Sequence, residues 1–186
     1  MRRLLPVLIV AALVALAFWI VSTNQGTIGH APDPGTEQPA VDSGGGGIVV
    51  AVPPDAQAMT VVSIHDGDTL NLRDSTGAVE TVRIIGVDTP EVYPEYECFG
   101  DEATDELNRL APVGSTLRVT TDDDPFDDYD RLLLYLWNAD GEFVNLALVQ
   151  NGYAEAIRVA PNDAYYDELL AAESRAAHDG LGMWSC

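Results

Sequence analysis

Lysine is absent from this chain: all nine basic residues are arginine, set against 30 acids for a formal net charge of −21. Such a composition excludes the basic footprint with which most polyanion-binding proteins attract their ligand, because at ordinary ionic strength its field repels one. Near 1 M salt the screening length shrinks to about 3 Å, and only contact-range pairs survive. An acidic, lysine-free surface therefore reads as adaptation to a salty environment; the alternative is a codon preference for arginine in an ordinarily acidic protein. Cysteine occurs twice, at Cys98 and Cys186, and histidine three times, at 30, 65 and 178. No histidine or third cysteine stands at ligand spacing, which argues against a thiolate metal centre or nucleophile. The even count points instead to a Cys98–Cys186 disulfide in an oxidising compartment. Such a bridge ties down the C-terminus across a long loop, worth about 4 kcal/mol in the chain-entropy account. His65 reads as an incidental strand residue.

Three segments differ in composition. Met-Arg-Arg opens the chain and is followed by 18 uncharged, mostly apolar residues, Leu4 to Val21. As a helix they would span about 27 Å, close to the hydrocarbon thickness of a bilayer. Residues 1–22 are thus a membrane anchor or a signal peptide. Ala15-Leu16-Ala17 offers a small-x-small cleavage site, but cutting there leaves Phe18-Trp19-Ile20-Val21 exposed, which favours the uncleaved anchor. Arg2 and Arg3, with no basic residue for fifty positions after the span, place the N-terminus in the cytoplasm and the remainder outside, on the cell surface or secreted. Residues 23–57, with APDPG, four consecutive glycines and AVPPDAQ, read as a flexible Pro/Gly-rich linker. Residues 58–186 are long enough to bury a core, and there 26 acids face seven arginines.

Within that domain, β-branched Thr60–Ile64 predicts a strand, Thr69–Arg73 a second and Val79–Val87 a third, with Asp74-Ser75-Thr76-Gly77 as a hairpin turn. Ser115–Thr121 and Leu132–Trp137 supply two more; the last is apolar on both faces and therefore buried. A helix fits Asp101–Leu110, with Ala103, Leu107 and Leu110 on one face. Asn145 is placed to cap a second helix that Gly152 terminates. A third is predicted from about Asp163 to Ala177, turning Tyr166, Leu169, Leu170 and Ala177 inward and stopping at Gly180. Short strands with interspersed helices give an α+β class, mainly β with α: a small five-stranded barrel of the OB type rather than a doubly wound sheet.

Charged residues interrupt these apolar strands in two motifs, DGDT at Asp66–Thr69 and RIIGVDTPE at Arg83–Glu91, with an outlying Arg131 in DDYDR. Carboxylates are hard oxygen ligands suited to Ca²⁺, and planar guanidinium forks match phosphate oxygens. The combination points to metal-assisted phosphodiester chemistry. Asp68 begins the second strand and Asp88 follows the third, so an antiparallel pair sets them side by side. Strand parity aims Arg83 and Asp88 at opposite faces. Pro90 is the residue expected to break that regularity and turn both groups toward one pocket.

DGDT, RIIGVDTPE, YDR, VNLALVQNGYA and the closing GMWS together resemble the staphylococcal nuclease (thermonuclease) family, in its order and spacing, over about residues 59–186. The resemblance implies a five-stranded OB-fold barrel with three helices and Ca²⁺-dependent hydrolysis of DNA and RNA. Carried over by motif position, Asp68 and Asp88 are implied as Ca²⁺ ligands together with the Thr89 carbonyl, with Asp66 reaching the ion through water. Glu91 matches the general base, and Arg83 and Arg131 the pair that grips the phosphate. Tyr129 matches a substrate-binding tyrosine. The chain departs from the family in two places: Asp128 and Asp130 flank Tyr129, and Ile157-Arg158-Val159-Ala160-Pro161 lacks the tyrosines that help to seat the terminal nucleotide.

Taken singly, each feature has a plainer explanation. Asp66-Gly67-Asp68 is a common kind of acidic turn, Arg83 and Arg131 have many acids to pair with, and Thr89-Pro90-Glu91 is an ordinary loop signal. The competing function is a catalytically silent OB domain that binds nucleic acid or protein at the membrane. No feature points to a protein partner, and a monomer is the expectation.

Overall fold

The computed structural model describes residues 48–93 and 96–186. The predicted anchor at 1–22 and most of the linker lie outside the described residues. No helix among the described residues is long and apolar enough to cross a membrane. Residues 48–56, assigned above to the linker, instead lie against the barrel. Val50 is 4% exposed, and its carbonyl accepts the Trp137 indole N–H at 3.1 Å.

Five strands close the expected barrel: β1 (Gln57–Ile64), β2 (Thr69–Arg73), β3 (Val79–Ile84), β5 (Thr116–Thr120) and β6 (Leu132–Trp137). Their order is β1-β2-β3-β6-β5, antiparallel except for the parallel β3–β6 pair. A register shift between Val61 and Ser63 bends β1, so that it pairs with β2 at one end and β5 at the other. Alternate residues Leu70, Leu72, Val82, Ile84, Leu117, Val119, Leu134 and Leu136 are buried, as period-2 strands around a closed interior require. The β2–β3 turn is held by the Asp74 carboxylate, which accepts the N–H groups of Thr76 and Ala78 at 2.8 and 3.0 Å.

Outside the barrel lie three helices among the described residues: α1 (Gly100–Leu110), α2 (Val144–Gln150) and α3 (Tyr166–Asp179). The outer face of β6 is covered by aromatic packing, Trp137 on Phe143 at 4.7 Å and Tyr135 edge-on to Tyr165 at 4.6 Å between centroids. This accounts for a strand that is apolar on both faces. Cys98 and Cys186 form the expected disulfide, with Cα atoms 6.4 Å apart.

Three local expectations change. The predicted third strand, Val79–Val87, divides: β3 ends at Ile84, and Val87–Asp88 forms β4, paired with β7 (Glu155–Ala156) in a separate two-stranded sheet. Gly86 makes the break, with φ of 77°; a Cβ there would also lie 2.7 Å from Leu169 Cδ1. Helix α3 starts at Tyr166 and buries Leu169, Ala172 and Ala176, while Leu170 is 39% exposed and Ala177 faces outward. Asn145 is no cap, since α2 begins at Val144. It is fully buried; its Oδ1 accepts the Leu136 N–H at 3.0 Å and its Nδ2 donates to the Ile85 carbonyl at 2.8 Å. It thus satisfies backbone groups of two chain segments. Asn145→Ala orphans both, and each buried unpaired group costs about 1–3 kcal/mol. Denaturant melts of this variant are expected to show a loss of about 3 kcal/mol.

Candidate active site

The DGDT turn between β1 and β2 is locally self-consistent. Asp66 Oδ1 accepts the Asp68 N–H at 3.1 Å, and the Asp68 carbonyl accepts the Ile84 N–H at 2.9 Å. Gly67 is the residue that lets a second segment approach. A Cβ there would lie 2.8 Å from the Thr89 side chain and 2.9 Å from Ala103 Cβ, so any larger residue would push the DTPE segment or α1 away. Thr89 is thereby brought onto Asp68, its N–H and hydroxyl donating to Asp68 Oδ2 at 3.1 and 3.2 Å. Thr69 donates its hydroxyl to Oδ1 at 3.0 Å.

Arg83 sits opposite Thr69 in the β2–β3 ladder and uses both ends of its fork. Nη1 donates to the carbonyls of Ile84 (2.9 Å) and Val87 (2.7 Å), across the break at Gly86. Nη2 lies 3.0 Å from Asp68 Oδ2 and 2.8 Å from Asp88 Oδ1. Arg83 and Asp88 therefore meet, as expected, but the break at Ile85–Gly86 brings them together, not Pro90.

Asp68 is only 7% exposed. Burial pushes its carboxyl up to about 6; the Arg83 guanidinium works against this, the nearby Asp66 charge adds to it, and the Thr89 N–H and Thr69 hydroxyl oppose it. Two carboxylates converging on one guanidinium nitrogen, one of them poorly solvated, form a hard-oxygen donor pair whose charge is balanced here by Arg83. The donor chemistry fits Ca²⁺. Among the described residues no group of three or more acidic, histidine or cysteine side chains is arranged to hold a metal. Carbonyl or water oxygens would have to complete a shell of six to eight.

Beside this pair is a cleft of about 260 Å³ lined by Arg83, Ile85, Tyr129, Arg131, Ile157 and Val159, among others. Both arginines thus border one space. Arg131 is paired through Nε with Asp127 at 2.7 Å, and its guanidinium lies 5.6 Å from the Tyr129 ring centroid. Tyr129 itself is 81% exposed. Asp127 is held below the ordinary carboxylate range: burial would raise it, but hydrogen bonds from the backbone and Nε of Arg131 and from the Tyr129 N–H outweigh that. The cleft wall at Ile157 and Val159 is aliphatic, and Tyr165, buried in the aromatic cluster, is no substitute for a tyrosine there.

Glu91 is not hydrogen-bonded into the acid pair. It is exposed, on a loop closed by its own backbone, its N–H donating to Glu97 Oε2 at 3.0 Å and its carbonyl accepting the Glu97 N–H at 2.9 Å. Gly100, the first residue of α1, lies beneath: a Cβ there would be 2.9 Å from the Glu91 carbonyl oxygen. Gly67, Gly100 and Asp127 escaped the sequence reading. For Asp127 the available signal was its place four residues before Arg131 in DDYDR.

Residues 81–186 match the family model described as staphylococcal nuclease homologue. The chain belongs to the staphylococcal nuclease family. The match begins inside β3, so the DGDT turn lies upstream of it. Among relatives, the thermonuclease of Staphylococcus intermedius is 34% identical over 131 residues, covering 69% of this chain and 76% of that protein. Endonuclease YhcR of Bacillus subtilis is 33% identical over 132 residues, 66% of this chain but only 11% of its own length. The SPbeta prophage-derived endonuclease YokF of the same organism is 33% identical over 124 residues, 41% of its length. The chain thus spans about three quarters of a thermonuclease and less than half of the two longer relatives.

Proposed function

We propose that the protein is a Ca²⁺-dependent nuclease that hydrolyses phosphodiester bonds of DNA, RNA or both, on the outer side of the membrane. Membership of a nuclease family supports the reaction class. The observation that carries the metal reading is the convergence of Asp68 and Asp88 on one Arg83 nitrogen at 3.0 and 2.8 Å, beside the cleft that Arg131 also lines. Asp68, Asp88 and the Thr89 carbonyl would hold the ion, with Asp66 acting through water. When bound, Ca²⁺ supplies Lewis-acid polarisation of the phosphoryl oxygen and a site for water.

The chain's own residues do the rest. Arg83 and Arg131 present planar forks to the phosphate and stabilise charge that builds on its non-bridging oxygens. In this arrangement Arg83 Nη2 neutralises the acids, so it is the group that must turn from carboxylate to phosphate. Glu91, exposed and accepting no hydrogen bond that would tie up its carboxylate among the described residues, orients or deprotonates the attacking water. Tyr129 offers a ring edge to the bound strand. The apolar run at Leu4–Val21 and the disulfide support an exported, anchored or secreted domain.

The deciding assay follows cleavage of single-stranded DNA and RNA by residues 48–186 with Ca²⁺ or with chelator. Cleavage is expected only with the ion and to be indifferent to thiol-blocking reagents. Cutting that continues in chelator removes the ligand roles of Asp68 and Asp88; strand binding without cutting leaves the silent OB module. In the same assay Glu91→Gln is expected to lower turnover by about 10²-fold, within the range for loss of a general base, with Ca²⁺ affinity nearly unchanged by calorimetry.

A further inference from the structure

Arg131 reaches the cleft from the end of an acidic turn, and one carboxylate of that turn is bonded to it twice over. Asp127 Oδ1 accepts the N–H groups of Tyr129 and Arg131, both at 2.9 Å, and Oδ2 accepts the Arg131 Nε–H at 2.7 Å. The backbone closes around the same residue: the Asp127 N–H donates to the Arg131 carbonyl and the Asp130 N–H to the Asp127 carbonyl, each at 3.1 Å. Asp130 takes up the left-handed conformation, φ 60°, that this tight return requires. One side chain therefore shapes the turn with one oxygen and holds the guanidinium with the other. The pair is partly shielded, with side-chain exposures of 31% for Arg131 and 19% for Asp127. A guanidinium is planar, so fixing Nε fixes the plane and direction of both Nη groups.

We propose that Asp127 is a positioning residue for phosphodiester cleavage: by occupying Nε it leaves the two Nη groups of Arg131 to the cleft, preorganised for a phosphate. The inference rests on the role given to Arg131 above. It runs against the field of the region. Asp127, Asp128 and Asp130 surround the very arginine that is to meet an anion, and a carboxylate that only added to that field would weaken substrate binding. Orientation and field thus predict opposite outcomes when the Asp127 charge is removed. If Asp127 acts through its charge alone, neutralising it tightens substrate binding and raises kcat/KM. If it orients Arg131, neutralising it lowers kcat.

The test uses the full-length chain. Asp127→Asn retains an amide oxygen for the Tyr129 and Arg131 N–H groups, so the turn persists while the charged acceptor at Nε is lost. Expected is a fall in kcat of about tenfold, since sub-ångström misplacement of a catalytic group carries penalties of that order, with KM unchanged or lower. Asp127→Glu keeps the charge but moves it one methylene outward and is expected not to restore the rate. The Asp127→Asn/Arg131→Lys double variant is expected to be no slower than Arg131→Lys alone, because a residue acting through another has nothing further to lose. An unchanged kcat in Asp127→Asn, or losses that multiply in the double variant, overturns the inference. So does a lowered melting temperature with normal kcat per folded molecule, which would make Asp127 a turn former only. Arg131→Lys at full rate removes the premise instead, and the single variant reveals that without any change at Asp127.

Discussion

Arg83→Lys is expected to lose turnover by at least about 10²-fold although the charge is kept, the usual scale for removing one preorganised donor to a transferring phosphate. Arg83 meets four oxygens, the carbonyls of Ile84 and Val87 through one nitrogen and the carboxylates of Asp68 and Asp88 through the other. A lysine has one ammonium on a flexible stem and cannot hold the β3–β4 break and the acid pair together. Two losses follow from one change: the phosphate loses a bidentate partner, and Asp68 and Asp88 lose the fork that sets their separation. Calcium affinity measured by calorimetry divides these. A turnover defect with normal affinity places Arg83 on the phosphate, whereas a defect in both places it on the acids. Normal turnover and normal affinity would reduce Arg83 to a structural clamp and remove it from the site.

What the sequence made legible was the part of the site set by short range. Asp68 next to strand two and Arg83 in strand three meet because a hairpin's register follows from its turn, with Thr69 opposite Arg83. That register sets Ile84, not Asp88, against Asp68, so Asp88 joins them only through the break after β3. The barrel was legible for a similar reason, since alternating apolar residues and a doubly apolar β6 leave few alternatives. The break at Gly86 was not. Reading Val79–Val87 as one strand ignored that a glycine can take a positive φ, and it passed the work to Pro90, the more conspicuous breaker. Asn145 was misread because asparagine before an apolar helix is a common cap signal, whereas bridging Leu136 and Ile85 depends on where two distant strands end. In α3 the exposed Leu170 and buried Ala176 show a helix whose core stripe is set by the small residues that fit against α2 and β7, which apolarity alone does not reveal. Gly67 and Gly100 matter for what they leave room for, and a neighbour's approach is written nowhere in the local sequence.

The surface makes the second large expectation. Among the described residues only five carboxylates have an arginine within ion-pair distance, Asp68, Asp88, Glu106, Asp127 and Asp163, and four arginines serve them. From Ala58 onward the domain carries 26 acids, so most of its negative charge is unpaired by such contacts and repels itself in dilute buffer. Screening removes that repulsion as salt rises, with a length near 3 Å at about 1 M, while the site's own pairs at 2.7–3.0 Å lie inside it and are partly buried. The melting temperature is therefore expected to rise by on the order of 10 °C between dilute buffer and 1 M KCl, equivalent to a few kcal/mol for a domain of this size. Cleavage is expected to stay flat or rise over the same range. A basic nuclease behaves in the opposite way, since there salt screens an attraction to the substrate. Recording melting temperature and initial rate at each KCl concentration separates folding from encounter with the polyanion. A domain most stable and most active in dilute buffer would sink the salt-adaptation reading and leave arginine codon preference to explain the missing lysines. The site would be untouched by that outcome, because Arg83, Asp68 and Asp88 act at contact distance, where the surface field has little say.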